Sequence, residues 1–95
     1  MINSVELYNT INNSEVINYE TEAVLLELDE TPSTATQAYL NGLLHNLYSR
    51  IINGNTVRLE SSHEAFTGES FIEWVHNNFT KYSSDMFDRT MEDKK

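Results

Sequence analysis

The middle of the chain repeats apolar residues at steps of three and four, which is the spacing of one helix face. Thr31 and Pro32 can cap and open such a helix, and Thr34 with Gln37 offers an alternative capping box in the same turn. Gly54 is a natural stop after the last apolar position. The sequence therefore predicts a long amphipathic helix with a buried face made of Leu40, Leu43, Leu44, Leu47 and Ile51.

A second amphipathic helix is predicted to begin at Thr67 or Glu69 and to run to Phe79 and beyond. Ser83–Ser84 can interrupt it and cap a final helical piece that reaches about Glu92. The broad apolar stripe of this helix would consist of Phe71, Trp74, Val75, Phe79, Tyr82 and Met86.

A short helix is predicted at the start of the chain. Asn3 can cap it, and Glu6 stands at the position that completes a capping box. The polar residues 12–14 would end it. Its predicted apolar face, at three-residue steps, consists of Ile2, Val5, Tyr8 and Ile11.

Between Glu15 and Leu28 the apolar period changes to two, which is typical of a strand. The phase slips by one residue after Ala23, and such a slip exchanges the two faces of a strand. Segment 15–29 therefore fits one bulged strand, and it fits a hairpin that turns near Thr21 equally well.

A further strand is predicted over 55–61, with Val57 and Leu59 facing inward. The element order is then α-β-α-β-α, which indicates an α+β fold. We expect a small antiparallel sheet of two to four strands, packed with two or three helices. Residues 1–92 would form a single domain, and residues 93–95 would be a frayed tail.

The composition excludes several classes of protein. Fifteen acidic residues against six basic ones give a net charge of −9, which disfavours direct binding to nucleic acid or to an anionic membrane. The absence of cysteine excludes a disulfide scaffold and thiolate chemistry. No apolar run approaches the roughly 20 residues of a membrane span, and the first residues lack the features of a secretory signal. We therefore expect a cytoplasmic protein.

The arrangement of the charge is more informative than its total. Residues 1–49 contain no Lys or Arg, and neither do residues 59–80. The chain has eleven Asn but only three Lys, although the coding bias that favours Asn should favour Lys as well. A surface of one sign is suited to meet a surface of the opposite sign. The candidate partner-binding residues are Glu15, Glu20, Glu22, Glu27, Asp29, Glu30, Glu60, Glu64, Glu69 and Glu73.

Two pairs of these acids have spacings close to that of successive phosphates along a nucleic-acid strand. On a strand, Glu20 and Glu22 would stand about 7 Å apart. On a helix, Glu69 and Glu73 would be separated by about 6 Å. Both pairs also fit an ordinary solvent-facing surface.

Catalytic and metal-binding chemistry have little support. Two Glu-x-x-His units, Glu60–His63 and Glu73–His76, have the spacing used in di-metal helical bundles, but the chain lacks the four long helices that such a site needs. The sequence contains no G-x-S-x-G nucleophile motif and no phosphate-binding glycine loop. We therefore expect neither an enzyme nor a bound cofactor or metal.

In its size, acidity, lack of cysteine and Lys-poor composition, the chain resembles the acidic DNA-mimic inhibitors that phages and plasmids encode against restriction enzymes or CRISPR effectors. The acidic set that contributes most to this resemblance is Glu15, Glu20, Glu22, Glu27, Asp29 and Glu30. The resemblance implies a basic nucleic-acid-binding partner in the cytoplasm of the host cell, such as a nuclease or a defence complex. It implies competition with nucleic acid for that partner.

An alternative is a protein–protein interaction module that does not mimic nucleic acid, such as an adaptor, an immunity-type neutraliser or an assembly subunit. Its contact surface would be the aromatic helix face around Trp74, Phe79, Tyr82 and Phe87. A homodimer is compatible with either function, because an edge strand and surplus aromatic side chains favour pairing.

Overall fold

The computed structural model describes residues 3–81, which form four helices and one two-stranded sheet. The mixed class of helices with a small sheet is confirmed, but the described residues hold one helix more than the predicted order. The elements are α1 (Ser4–Asn13), β1 (Val16–Ile17), α2 (Tyr19–Glu30), α3 (Thr34–Ile52), β2 (Arg58–Leu59) and α4 (Gly68–Asn78).

The prediction of a bulged strand or hairpin over 15–29 is wrong, because most of that segment is α2. Asn18 caps this helix by accepting a hydrogen bond from the Thr21 backbone N–H at 2.9 Å. The buried residues of α2 are Thr21, Leu25 and Asp29, which recur at steps of four. Because two of the three are polar, hydrophobic spacing does not indicate this helix face. The nearby apolar residues alternate instead, which is the pattern expected of a strand.

The two strands pair in parallel, with Val16 opposite Arg58 and Ile17 opposite Leu59, so the predicted antiparallel sheet is also wrong. The chain passes through α2 and α3 between them, and such a long crossover lets the second strand enter from the same end as the first. β2 is shorter than the predicted 55–61. The inward orientation predicted for Val57 and Leu59 is confirmed, since both are buried.

α3 is the central helix, and α1, α2 and α4 pack against it. Its cap is Ser33, whose hydroxyl accepts from the Thr36 N–H, whereas the predicted cap Thr31 instead terminates α2. Gly54 follows the helix with a φ of +96°, as the predicted stop requires. The predicted buried face is confirmed at every position: Leu40, Leu43, Leu44, Leu47 and Ile51 are all buried.

The Asn3 cap of α1 is confirmed, because its side chain accepts from the Glu6 N–H at 2.8 Å. The predicted apolar face is wrong in two described positions, since Val5 and Tyr8 are exposed and the buried pair is Leu7 with Ile11. Steps of three residues drift around a helix by about 60° each, so four such positions do not share one face.

The aromatic residues of α4 belong mainly to the core. Thr67 caps the helix in a capping box with Ser70, as predicted for the first of the two possible starts. Phe71 and Phe79 are fully buried, and the half-buried Trp74 ring packs 5.1 Å from Phe79 between ring centroids. Of the contact surface proposed in the alternative interpretation, Phe79 is therefore unavailable to a partner, Trp74 is partly exposed, and Tyr82 and Phe87 lie outside the described residues.

The remaining predictions for the C-terminal part lie outside the described residues. They are the Tyr82, Met86 and Phe87 contributions, the Ser83–Ser84 interruption, the helical piece to about Glu92 and the 93–95 tail. Within 3–81, no helix combines the length and the apolar character needed to cross a membrane.

Candidate functional site

The parallel sheet brings two acidic segments together. The Arg58 N–H donates to the Glu15 carbonyl oxygen, and the Glu60 N–H donates to that of Ile17, both at 2.9 Å. Residues 15–22 therefore lie beside residues 58–64. We call the carboxylates of these two segments the acidic end; they are Glu15, Glu20, Glu22, Glu60 and Glu64.

Two carboxylates of the acidic end have structural partners. Glu60 Oε2 accepts a hydrogen bond from the Tyr19 N–H at 3.2 Å, across a sequence separation of 41 residues. This N–H is one of the donors that the first turn of a helix leaves free, and a negative charge there is favoured by the helix dipole. Glu22 Oε1 accepts from the Ser61 hydroxyl, also at 3.2 Å. These two bonds hold the two acidic segments together.

The other three carboxylates of the acidic end have no such role. Glu15, Glu20 and Glu64 are exposed, and the structure gives their side chains neither a hydrogen bond nor an ion pair with another part of residues 3–81. They are accordingly available to a partner. Arg58 is the one basic residue in the two segments.

The other two bases of the described chain contact residues outside the two acidic segments. Arg50 Nη1 donates to the carbonyl oxygens of Ile11 and Ser14, at 2.9 and 3.0 Å, and so caps the end of α1. Lys81 Nζ lies 2.8 Å from Glu30 Oε2, beyond the far end of α2. Residues 3–81 hold eleven acids and three bases. Arg58 lies within the acidic end and Arg50 lies next to it, through its bond to Ser14, so acids outnumber bases there by five to two.

The remaining predicted acids are distributed along the helices. Glu27 is exposed seven residues after Glu20, which places it about 10 Å further along α2. Glu69 and Glu73 are exposed one turn apart on α4, as predicted. The strand-like 7 Å spacing predicted for Glu20 and Glu22 is wrong, because on a helix residues two apart point in different directions.

Asp29 is not part of an acidic surface, contrary to the prediction. Its side chain is only 3% exposed, because it continues the buried stripe of α2 eight residues after Thr21. None of residues 3–81 donates a hydrogen bond to its Oδ1. A buried polar atom without a partner destabilises the folded state by about 1–3 kcal/mol.

We expect Asp29→Asn to raise the free energy of unfolding by about 1 kcal/mol, because a neutral amide costs less to bury than a carboxylate and is less unfavourable at the C-terminal end of a helix. Urea denaturation measures this change. Glu27→Gln, on the exposed face of the same helix, is the control and should change stability by less than about 0.5 kcal/mol. A destabilised Asp29→Asn variant would contradict the environment described for this carboxylate.

The histidine motifs do not converge on a metal centre in the described structure. Glu60 and His63 flank the turn after β2, where His63 adopts a φ of +63°, and Glu73 with His76 lies on α4. Nowhere in residues 3–81 do three or more His, Asp or Glu side chains form a group that could hold a metal ion.

The sequence indicates the exposed acids but not the pairing that brings their two segments together at the sheet. Nothing in Val16–Ile17 or Arg58–Leu59 indicates that these two-residue segments pair in parallel, so the signal lies in the tertiary structure alone. Comparisons with protein-family models, with curated proteins and with solved structures found no match to this chain.

Proposed function

We propose that the protein is a small acidic inhibitor that presents the acidic end to the nucleic-acid-binding site of a basic partner protein. The observation that supports this most is the β1–β2 pairing, which brings together two segments distant in sequence that carry five carboxylates and one arginine between them. Carboxylates arranged this way can occupy the Lys/Arg groove that otherwise holds phosphates.

The hydrogen bonds at the acidic end support the same proposal. Glu22 and Glu60 fix the two acidic segments to each other before any partner arrives, so less conformational entropy is lost on binding. Glu15, Glu20 and Glu64 need no rearrangement to become available. A one-signed surface repels itself and weakens the folded state, whereas an ordinary soluble surface intersperses charges of both signs.

In this proposal the partner is a nuclease or a host-defence complex of the restriction or CRISPR type. The protein acts in the cytoplasm of the host cell, as a stoichiometric blocker rather than as an enzyme. Association would be steered by long-range charge attraction, so it would be fast at low salt and would slow markedly as salt screens the charges.

Affinity capture from a nuclease-treated host lysate, at low and at high salt, tests the proposal. We expect a basic nucleic-acid-binding protein to be retained at low salt and released by added duplex DNA. A captured partner that survives high salt and ignores DNA would contradict the proposal and would indicate the non-mimic interaction module instead.

A further inference from the structure

The face formed by α1 and α3 is apolar and exposed. Val5 is 69% exposed and Tyr8 is 52% exposed, three residues apart on α1. Beside them α3 presents three exposed small residues at helical spacing, Ala35, Ala38 and Gly42. Exposed apolar side chains that cluster in this way mark interaction surfaces more often than isolated ones do.

A cavity of about 270 Å³ lies between the two helices. Gly42 borders this open space, since a Cβ built there would meet no atom within 4 Å. Tyr39 fixes one wall, because its hydroxyl donates to the Ser4 carbonyl oxygen at 3.2 Å, and burial raises the pKa of this phenol. The lining residues are Tyr8, Ala38, Tyr39, Gly42, Leu43 and Asn46.

This face differs from the acidic end in its charge. Between Thr34 and Ser49, α3 has no Asp, Glu, Lys or Arg, and α1 has Glu6 alone. In a chain with a net charge of −9, such a neutral stretch is where another molecule of the same charge can approach. A basic partner, by contrast, finds almost no carboxylate there.

We propose that the α1–α3 face binds a second copy of this chain and forms a twofold homodimer. In such an interface the same patch meets itself, so the exposed Tyr8 ring of each copy can cover the cavity of the other. A cavity of about 150 Å³ already accommodates benzene, so the space suffices for a phenol ring. The dimer leaves the acidic end of each copy outside the contact.

Sedimentation equilibrium of the full chain alone tests the dimer over a wide range of concentration. We expect a mass near twice the 11.0 kDa of one chain at high concentration. Added salt should strengthen the dimer, because it screens the repulsion between two acidic copies, whereas salt should weaken binding to a basic partner.

A matched pair of variants locates the interface. Ala38→Glu and Ala23→Glu each replace an exposed helical alanine and add the same charge, but Ala23 lies on α2. We expect Ala38→Glu to raise the dimer dissociation constant by about tenfold or more, and Ala23→Glu to leave it close to that of the unmodified chain.

Tyr8→Ser should weaken the dimer without adding charge, which keeps the test informative if Ala38→Glu folds poorly. A monomer at every concentration and salt, or equal effects of the two glutamate variants, would overturn the proposal. The experiment contains no other protein, so its failure would leave the proposal for the acidic end unaffected.

Discussion

Reversing the charge of Glu15, Glu20 and Glu64 to Lys together is expected to weaken binding to the captured partner on the order of 100-fold at low salt. These are the three carboxylates of the acidic end that have no structural partner in the described chain, so the fold should persist. Each lysine would face the partner's Lys/Arg groove, and like charges in contact oppose association. Titration calorimetry with the purified partner measures the change.

The control variant reverses Glu6, Glu27 and Glu73, which are exposed but lie outside the acidic end. Each reversal adds two units of charge, so both triple variants move from a net charge of −9 to −3. Glu6 and Glu20 both stand in the first turn of a helix, so each triple variant loses one favourable interaction between a carboxylate and a helix dipole. An equal loss of affinity in the two variants would show that total charge, and not the acidic end, governs binding.

Phe71→Ala is expected to lower the free energy of unfolding by about 3–5 kcal/mol. The Phe71 side chain is fully buried and meets the Phe66 ring edge-on at 5.1 Å between centroids. Trp74, at 5.8 Å, packs against it as well. The total stability of a small domain is about 5–15 kcal/mol, so this loss would leave a large unfolded fraction at moderate temperature.

Urea denaturation monitored by circular dichroism checks this prediction. Ile52→Ala is the control, because Ile52 is 56% exposed and its truncation should cost less than about 1 kcal/mol. A Phe71→Ala variant as stable as the Ile52→Ala variant would contradict the packing of α4 against α3.

The sequence correctly predicted a helix where the apolar spacing and the capping residues both indicated one. In α3 the predicted buried face consists only of leucine and isoleucine at helical spacing. Gly54, with its positive φ, follows the end of the helix. In α2 the two ends of the buried stripe are Thr21 and Asp29. Because hydrophobic periodicity is the main local signal, a stripe with polar ends could not be recognised as helical.

The candidate site was predicted in part. Exposure of most of the acids followed from their chemistry alone, and the buried Asp29 is the exception, since tertiary packing placed it on an inward position. The gathering of the acidic end depends on pairing between Val16–Ile17 and Arg58–Leu59. Two-residue strands carry too little pattern to reveal a partner or a direction.

The proposed function requires the acidic end to compete with nucleic acid for one groove on the partner. The most direct test measures the apparent Kd between this protein and the captured partner at increasing concentrations of duplex DNA. Competition for a single site predicts that the apparent Kd rises linearly with the DNA concentration and that the maximal binding stays constant. An apparent Kd that is unchanged at saturating DNA would contradict it.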